Sequence, residues 1–401
     1  MTYLAFVRQH ARPLAFGALH AFYSAPGQTF FIGLFVASFS TAFHLTPAAI
    51  GALYLGGTLG AAATLLFLGH WIDHIRLVHY SAACIAGLAA ACLFAALAQG
   101  PLTLLLAFYL LRLTGQGLMV HVEATATARA FDKERGRALG ITALGLPLSE
   151  LVFPPVAVAG IAALGWRPTY ALFGAVALLV LLPLTQWLLY GISRSPRPIP
   201  SGAGAWRAMV AGLMLLFRSR YVWAALPAMA LMPFCSTAIM FHVTTIAAER
   251  GWPLALIAAS FPAAAICNVA GLFLSGWIID GLSARKLFIV QSLPLLAGIA
   301  VLAWARSEWA LPVAFAFIGF SGGLSKTTLT AMWAEIFGTE RLGAIRSAIA
   351  MYLVLMSALA PYVFGVAMDA GASVTSILTA FVVVGLAFLA PPLAAERLQL
   401  R

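Results

Sequence analysis

Residues 47–68 read PAAIGALYLGGTLGAAATLLFL, 22 positions without a charge. A helix of that length spans about 30 Å, the thickness of a bilayer's hydrocarbon core. Backbone groups in lipid must be hydrogen-bonded within the protein, which leaves helices or closed barrels. The apolar positions do not alternate, and the run is too long for a strand, so the segment reads as a helix. Similar runs recur between polar or Pro/Gly breaks. They predict crossings near 13–37, 47–68, 79–99, 102–124, 137–161, 168–190, 221–244, 254–275, 286–305, 310–333, 344–367 and 373–394. The expected fold is therefore an all-α membrane protein with twelve transmembrane helices. Composition agrees: 9% of the 401 residues are charged, against roughly 25% in a soluble domain.

The basic residues orient this pattern. With both termini cytoplasmic, 18 of the 23 Lys and Arg fall in inner segments, and only Arg167, Arg250 and Arg306 lie outside. That bias follows the positive-inside rule. It also accounts for the net charge of +11 through topology and anionic lipid heads, so no nucleic-acid partner is expected. The partners expected are the lipid bilayer and a small-molecule or ion substrate, with the chain a monomer. The expected location is a bacterial inner membrane. Four cysteines sit inside apolar runs without zinc-site or disulfide spacing. No phosphate loop, catalytic triad or cofactor motif is visible, so neither an enzyme nor an ATP-driven pump is indicated.

The chain repeats itself. GHWID (69–73) and GWIID (276–280) each lie between the second and third runs of a half; FDKERGRALG (131–140) aligns with FGTERLGAIR (337–346), and TGQG (114–117) with FSGG (320–323). The halves so defined are residues 1–192 and 221–401, each expected as a six-helix bundle, joined by a cytoplasmic linker, 193–220, rich in Pro, Gly and Ser. Internal repeats of this kind mark transporters that work by alternating access. The loop motifs GHWIDHIR and GWIIDGLSARK, with RLTGQG (112–117), resemble the major facilitator superfamily, whose loop signature places Asp four residues after Gly and before basic residues. The first loop carries His74 and Leu77 where the family has Arg and Gly. The resemblance covers essentially the whole chain and implies two pseudo-symmetric bundles that move a solute.

Candidate residues follow from charge. Asp73 and Asp280 sit at the inner edge, where each carboxylate can latch onto a neighbouring cation. Arg135 or Arg137 are the expected partners of Asp73, and Arg341 or Arg346 those of Asp280. Within the spans, where a charge costs roughly 2.5–3.5 kcal/mol, lie Arg112, Glu150 and Lys326. Arg112 and Glu150 are expected to pair, either as a proton-coupling site at Glu150 or as a static brace. Arg112 and Lys326 each come from the fourth span of a half and favour an anionic substrate. In HAFYSAPGQTFF (20–31), Pro26 and Gly27 should break the helix and free carbonyls to face a chamber; Tyr23, Gln28 and Thr29 are expected to bind substrate there, with His20 a further proton carrier. Glu123 and Glu335 read as structural.

In MALMPFCSTAIMFH (229–242), Met229, Met232, Cys235 and His242 offer soft ligands suited to Cu(I). A copper-importing branch of the same superfamily makes copper an alternative cargo, although its Met-x-x-x-Met and His-x-x-x-Met steps are absent. EIFGTERLGAIRSA (335–348) loosely resembles the monocarboxylate and oxalate/formate branch, but LIAASFPAAAICNVAGLFLSGW (256–277) lacks the Asp–Arg pair of monocarboxylate carriers. The expected function is secondary transport of a small organic anion, coupled to protons. A transporter-like receptor or assembly factor is the alternative outside transport.

Overall fold

The computed structural model describes residues 2–131, 133–190, 214, 216, 218–338 and 342–397, and no strand occurs among them. Contacts divide the chain into two compact units, Met1–Ile199 and Pro200–Arg401. Only residues 214, 216 and 218–220 of the expected linker fall among those described.

In unit 1, α1 (Ala11–Tyr23) stops at a 3-10 turn, Ala25–Gly27, and the chain resumes as the short helices Thr29–Gly33 and Val36–Phe43. Then come α2 (Pro47–Leu68), which tightens into a 3-10 turn at Gly69–Asp73, α3 (Leu77–Ala96) and α4 (Pro101–Ala130). The middle of α4, Arg112–Met119, is a π-helix. The unit closes with α5 (Arg135–Leu164) and α6 (Trp166–Leu189). In unit 2 the order is α7 (Arg220–Phe241), a short helix Val243–Arg250, α8 (Leu254–Gly281), α9 (Ala284–Trp304), α10 (Ala310–Phe337), α11 (Leu342–Asp369) and α12 (Val374–Arg397).

Among the described residues, ten helices are long and apolar enough to cross a membrane, so the chain is a multi-pass membrane protein. The two expected runs missing from that set are 13–37 and 310–333. The first is broken by its own turn, and the second, α10, has its apolar run diluted by Ser321, Gly322, Gly323, Ser325, Lys326 and Thr327. Large apolar side chains on the outside, such as Leu179 at 71% and Trp277 at 75% exposure, suit lipid rather than water.

Local chemistry sets the helix ends. Thr46 caps α2 by accepting from Ala49 N, with Pro47 in the first turn. Lipid gives no hydrophobic drive between helices, so small residues that let backbones approach hold them together. Gly319 and Gly323 of α10 lie against α8: a Cβ on Gly319 would stand 2.8 Å from Ala264 Cα, and one on Gly323 would stand 2.7 Å from Leu272 N. Unit 1 adds an aromatic cluster in which Phe31 meets Tyr170 and Phe173 edge-on, with centroids 5.7 and 4.9 Å apart.

Two of the three arginines expected outside have a structural task. Arg167, at the start of α6, donates to Ala96 O and Ala98 O at 2.8 and 2.7 Å, where α3 ends. Arg250 donates to Leu302 O and Ala303 O at 3.1 and 2.9 Å, where α9 ends, and to Thr375 Oγ1 at 3.0 Å. The last carbonyls of a helix lack intrahelical donors and carry partial negative charge, so a guanidinium satisfies both needs. Beside Arg250, Glu249 accepts from Val374 N at 3.1 Å and caps the start of α12.

Candidate functional site

Two irregular stretches meet inside unit 1. The break at Ala25–Gly27 lies against the π-helix of α4. A Cβ on Gly27 would stand 2.8 Å from Gly115 Cα and 3.0 Å from Gln116 N; one on Gly115 would stand 2.7 Å from Gly27 Cα. Both partners must therefore be glycine for the backbones to touch. Breaking α1 leaves peptide groups without helical partners, and a π-turn marks a helix carrying an extra residue, a feature common at functional sites.

Arg112 opens the π-helix and is only 4% exposed. Its Nη1 donates to Gly27 O and to Thr29 Oγ1, both at 3.3 Å. Its guanidinium lies 5.1 Å from the Tyr54 ring centroid, and Thr29 Oγ1 is 2.6 Å from the Tyr54 hydroxyl. Its Nε is buried with no acceptor among the described residues. Gln28 donates from Nε2 to Ser24 Oγ at 3.0 Å, and Ser24 in turn donates to Ala21 O at 2.7 Å. Among the described residues all the contacts of Arg112 are with neutral groups, and none of them supplies a counter-charge.

This differs from the expected Arg112–Glu150 pair. Neighbouring spans in sequence suggested that pairing, but the carbonyl exposed at Gly27 and the ring of Tyr54 capture the guanidinium instead. Glu150 is half-buried on α5. The more deeply buried acid is Glu123, at 6% exposure, whose Oε1 accepts from Thr142 Oγ1 at 2.5 Å and so ties α4 to α5.

Tyr23 is drawn into the bundle: its hydroxyl donates to Phe173 O at 2.7 Å and its ring meets Phe153 edge-on. His20 is fully buried; Nδ1–H donates to Phe16 O and Nε2 pairs with Ser81 Oγ, each at 2.8 Å. Lys326 is exposed on α10 and makes no ion pair among the described residues.

The loop motif also finds a different partner. Asp73 pairs with Arg129, which donates from Nη1 to Ile72 O at 3.1 Å as well. The expected partners lie elsewhere: Arg135 donates to Ala128 O at 3.1 Å, and the Arg137 guanidinium sits 4.0 Å from the Tyr3 ring centroid. Arg129 closes the last turn of α4, so its side chain reaches the α2–α3 turn directly, whereas Arg135 and Arg137 begin α5.

In unit 2, Asp280 and Arg346 are exposed and form no ion pair among the described residues; Arg341 lies outside those residues. At the 206-residue repeat offset, Arg129 falls on Glu335, a charge of opposite sign. Glu335 accepts from Ala284 N and Arg285 N at 2.7 and 3.3 Å, capping α9. Arg285 Nε stands 3.2 Å from Glu396 Oε2, and its guanidinium lies 4.5 Å from the Tyr221 ring centroid.

Among the possible soft-metal ligands, Met229 and Cys235 are buried in α7 and Met232 is half-buried. His242 donates from Nε2 to Pro361 O at 2.9 Å, its ring stacked on Phe364 with centroids 4.9 Å apart. Among the described residues no group of three or more His, Cys, Asp or Glu is placed to hold a metal ion.

Comparison with solved structures reports the same architecture. A bacterial homologue of the human lysosomal transporter Spinster, in an inward-facing unoccupied conformation, superposes with a TM-score of 0.71 at 15% identity, covering 99% of this chain and 98% of that one. The nucleoside transporter NupG superposes with a TM-score of 0.75 at 11% identity, covering 95% and 99%. At these identities the likeness speaks for the fold alone. No curated protein sequence matches the chain. The family model for the Major Facilitator Superfamily matches residues 17–361, and the chain belongs to that superfamily of transporters.

Proposed function

We propose that this protein is a secondary active transporter for a small organic anion, with Arg112 as the anchor for the anionic group. One observation carries the reading: a guanidinium buried to 4% exposure whose contacts are two neutral acceptors at 3.3 Å and an aromatic face. A buried cation without a counter-charge costs several kcal/mol. A desolvated cation–π contact returns about 2 kcal/mol, so a deficit remains for an anion to relieve. Arg suits this task because its planar fork binds a carboxylate through two parallel hydrogen bonds.

In this reading the chain crosses a bacterial inner membrane twelve times as a monomer, with both termini cytoplasmic. The halves 1–192 and 221–401 act as two pseudo-symmetric bundles joined by 193–220, and the substrate gains access from each side in turn. Gln28 and Thr29 shape the floor beneath Arg112, and Glu150 couples uptake to protons. Asp73 with Arg129, and Asp280 with Arg341 or Arg346, gate the inner side. Lys326 is a second cation to be tested separately.

The experiment is uptake and binding of a panel of carboxylates by protein reconstituted in liposomes, with and without an imposed pH gradient. Losing a hydrogen-bonded charge partner costs about 2–5 kcal/mol, so Arg112→Ala should weaken binding by roughly 30-fold or more. Glu150→Gln should remove the dependence on the gradient while leaving binding intact. Normal carboxylate binding by Arg112→Ala protein would overturn the assignment.

A further inference from the structure

Resting on the anion reading, a second set of atoms speaks to what else the substrate carries. Three buried polar atoms on adjoining elements of unit 1 have no partner among the described residues: Arg112 Nε, Gln116 Oε1 and Thr58 Oγ1. A buried polar group left unpaired costs about 1–3 kcal/mol, and native proteins hold few of them. Among the other orphans in the unit, Thr127 lies about three turns beyond Gln116 on α4, and Tyr170 and Gln186 are on α6.

Helix register puts the three along the facing sides of α2 and α4, Thr58 near the level of Arg112 and Gln116 one turn beyond it. Gln116 follows Arg112 by four residues in the π-helix, about one turn along the same face. Thr58 follows Tyr54 by four residues in α2, again one turn along the face that presents Tyr54 to Arg112. The two helices run parallel here. A Cβ on Gly57 would stand 2.8 Å from Tyr109 N and one on Gly117 would stand 3.4 Å from a Leu65 methyl, while further along His121 Nε2 donates to Gly69 O at 2.9 Å. Both steps therefore go in the same direction. Gln116 and Thr29 are half-buried, so the cluster is not sealed inside the bundle.

The chemistry of the orphans is complementary and specific. Arg112 Nε can only donate, Gln116 Oε1 can only accept, and the Thr58 hydroxyl does either. An ionised carboxylate only accepts, so a simple acid answers Arg112 and, in this orientation of the amide, leaves Gln116 Oε1 unanswered. We propose that the Arg112 site recognises a hydroxylated carboxylate: the carboxylate on the Arg112 guanidinium, and a hydroxyl on a nearby carbon donating to Gln116 Oε1 and meeting Thr58 Oγ1. A site built to bond a substrate hydroxyl discriminates strongly against the analogue without it, because its own polar groups are then left unpaired.

Binding to the full-length protein should be measured for matched pairs: 2-hydroxypropanoate and propanoate, 2-hydroxybutanedioate and butanedioate, and gluconate and hexanoate. The expected result is a preference of about tenfold or more for the hydroxylated member of at least one pair. Gln116→Leu with Thr58→Val should bring that ratio close to one. Arg112→Ala should abolish binding of both. Equal affinity for both members of every pair in the unaltered protein would overturn the proposal, as would a ratio that survives the double substitution. If equal affinities are lost in Arg112→Ala, the anion reading stands while the hydroxyl reading falls. Absence of binding by every compound would sink both.

Discussion

The contact between Gly27 and the π-helix makes a prediction about stability that does not depend on the substrate. In Gly27→Ala the added methyl would press on Leu111 O and stand 2.8 Å from Gly115 Cα and 3.0 Å from Gln116 N. All three are backbone atoms, so no rotamer change relieves the clash; the broken end of α1 must move away from α4. Overpacking typically costs about 1–3 kcal/mol, and this case belongs at the upper end. By soluble-domain scaling, about 3 kcal/mol in a unit of this size corresponds to a fall of roughly 6–12 °C in Tm. Gly140 of α5 is the matched control, because a Cβ there meets nothing within 4 Å. Gly140→Ala should raise stability by about 0.4–1 kcal/mol through loss of unfolded-state freedom. The assay is retention of the monodisperse peak by fluorescence-detected size-exclusion after heating in mild detergent. Opposite signs are expected. If Gly27→Ala melts with or above the unaltered protein, the two backbones do not touch as described, and the placement of Arg112 beside Gly27 O falls with them.

Other expectations follow from the same geometry. The Asp73–Arg129 pair is partly exposed, with side-chain accessibilities of 20% and 31%, so Asp73→Asn should cost under about 1 kcal/mol in thermal stability. The exchange Asp73→Arg with Arg129→Asp should recover part of it; no recovery would show that the pair does not couple. Glu335→Gln removes a charged cap from α9 and should cost about 1 kcal/mol. It should also speed amide hydrogen exchange at Ala284 and Arg285 selectively, a pattern that uniform exchange across α9 would refute. Arg250→Lys should destabilise almost as much as Arg250→Ala, because an ammonium does not reproduce a fork spread over Leu302 O, Ala303 O and Thr375 Oγ1; a fully stable Lys variant would argue against that cap. His20→Gln should alter stability while leaving the pH profile of uptake unchanged, since both ring nitrogens already have protein partners. A shifted profile would restore His20 as a proton carrier.

Much of the helical architecture is legible in the sequence because lipid imposes one simple demand: a long apolar run between polar breaks. The break in the first run is equally legible, since Pro26 removes a donor and Gly27 removes a side chain. The partner of Arg112 is not, because sequence adjacency suggested Glu150 while the acceptor, Gly27 O, comes from a segment 85 residues away. The π-turn at Arg112–Met119 leaves no periodic trace that eight residues could reveal, and Tyr54 and Gln116 stand in apolar spans with nothing in the sequence to single them out. Sequence position favours Arg135 and Arg137, which stand in the basic run, whereas the last turn of α4 brings Arg129 to Asp73. The repeat preserves positions rather than charges, so aligning the halves could not show that Glu335 caps a helix where Arg129 binds a carboxylate.

The arginines that cap α3 and α9 set how those helix ends open. Arg167 and Arg250 are each bonded to the last peptide carbonyls of a neighbouring helix, so the final turn of α3 or of α9 unwinds only when its guanidinium lets go. Within each unit those ends should exchange amide hydrogens in step with the segment that carries the arginine rather than fray alone.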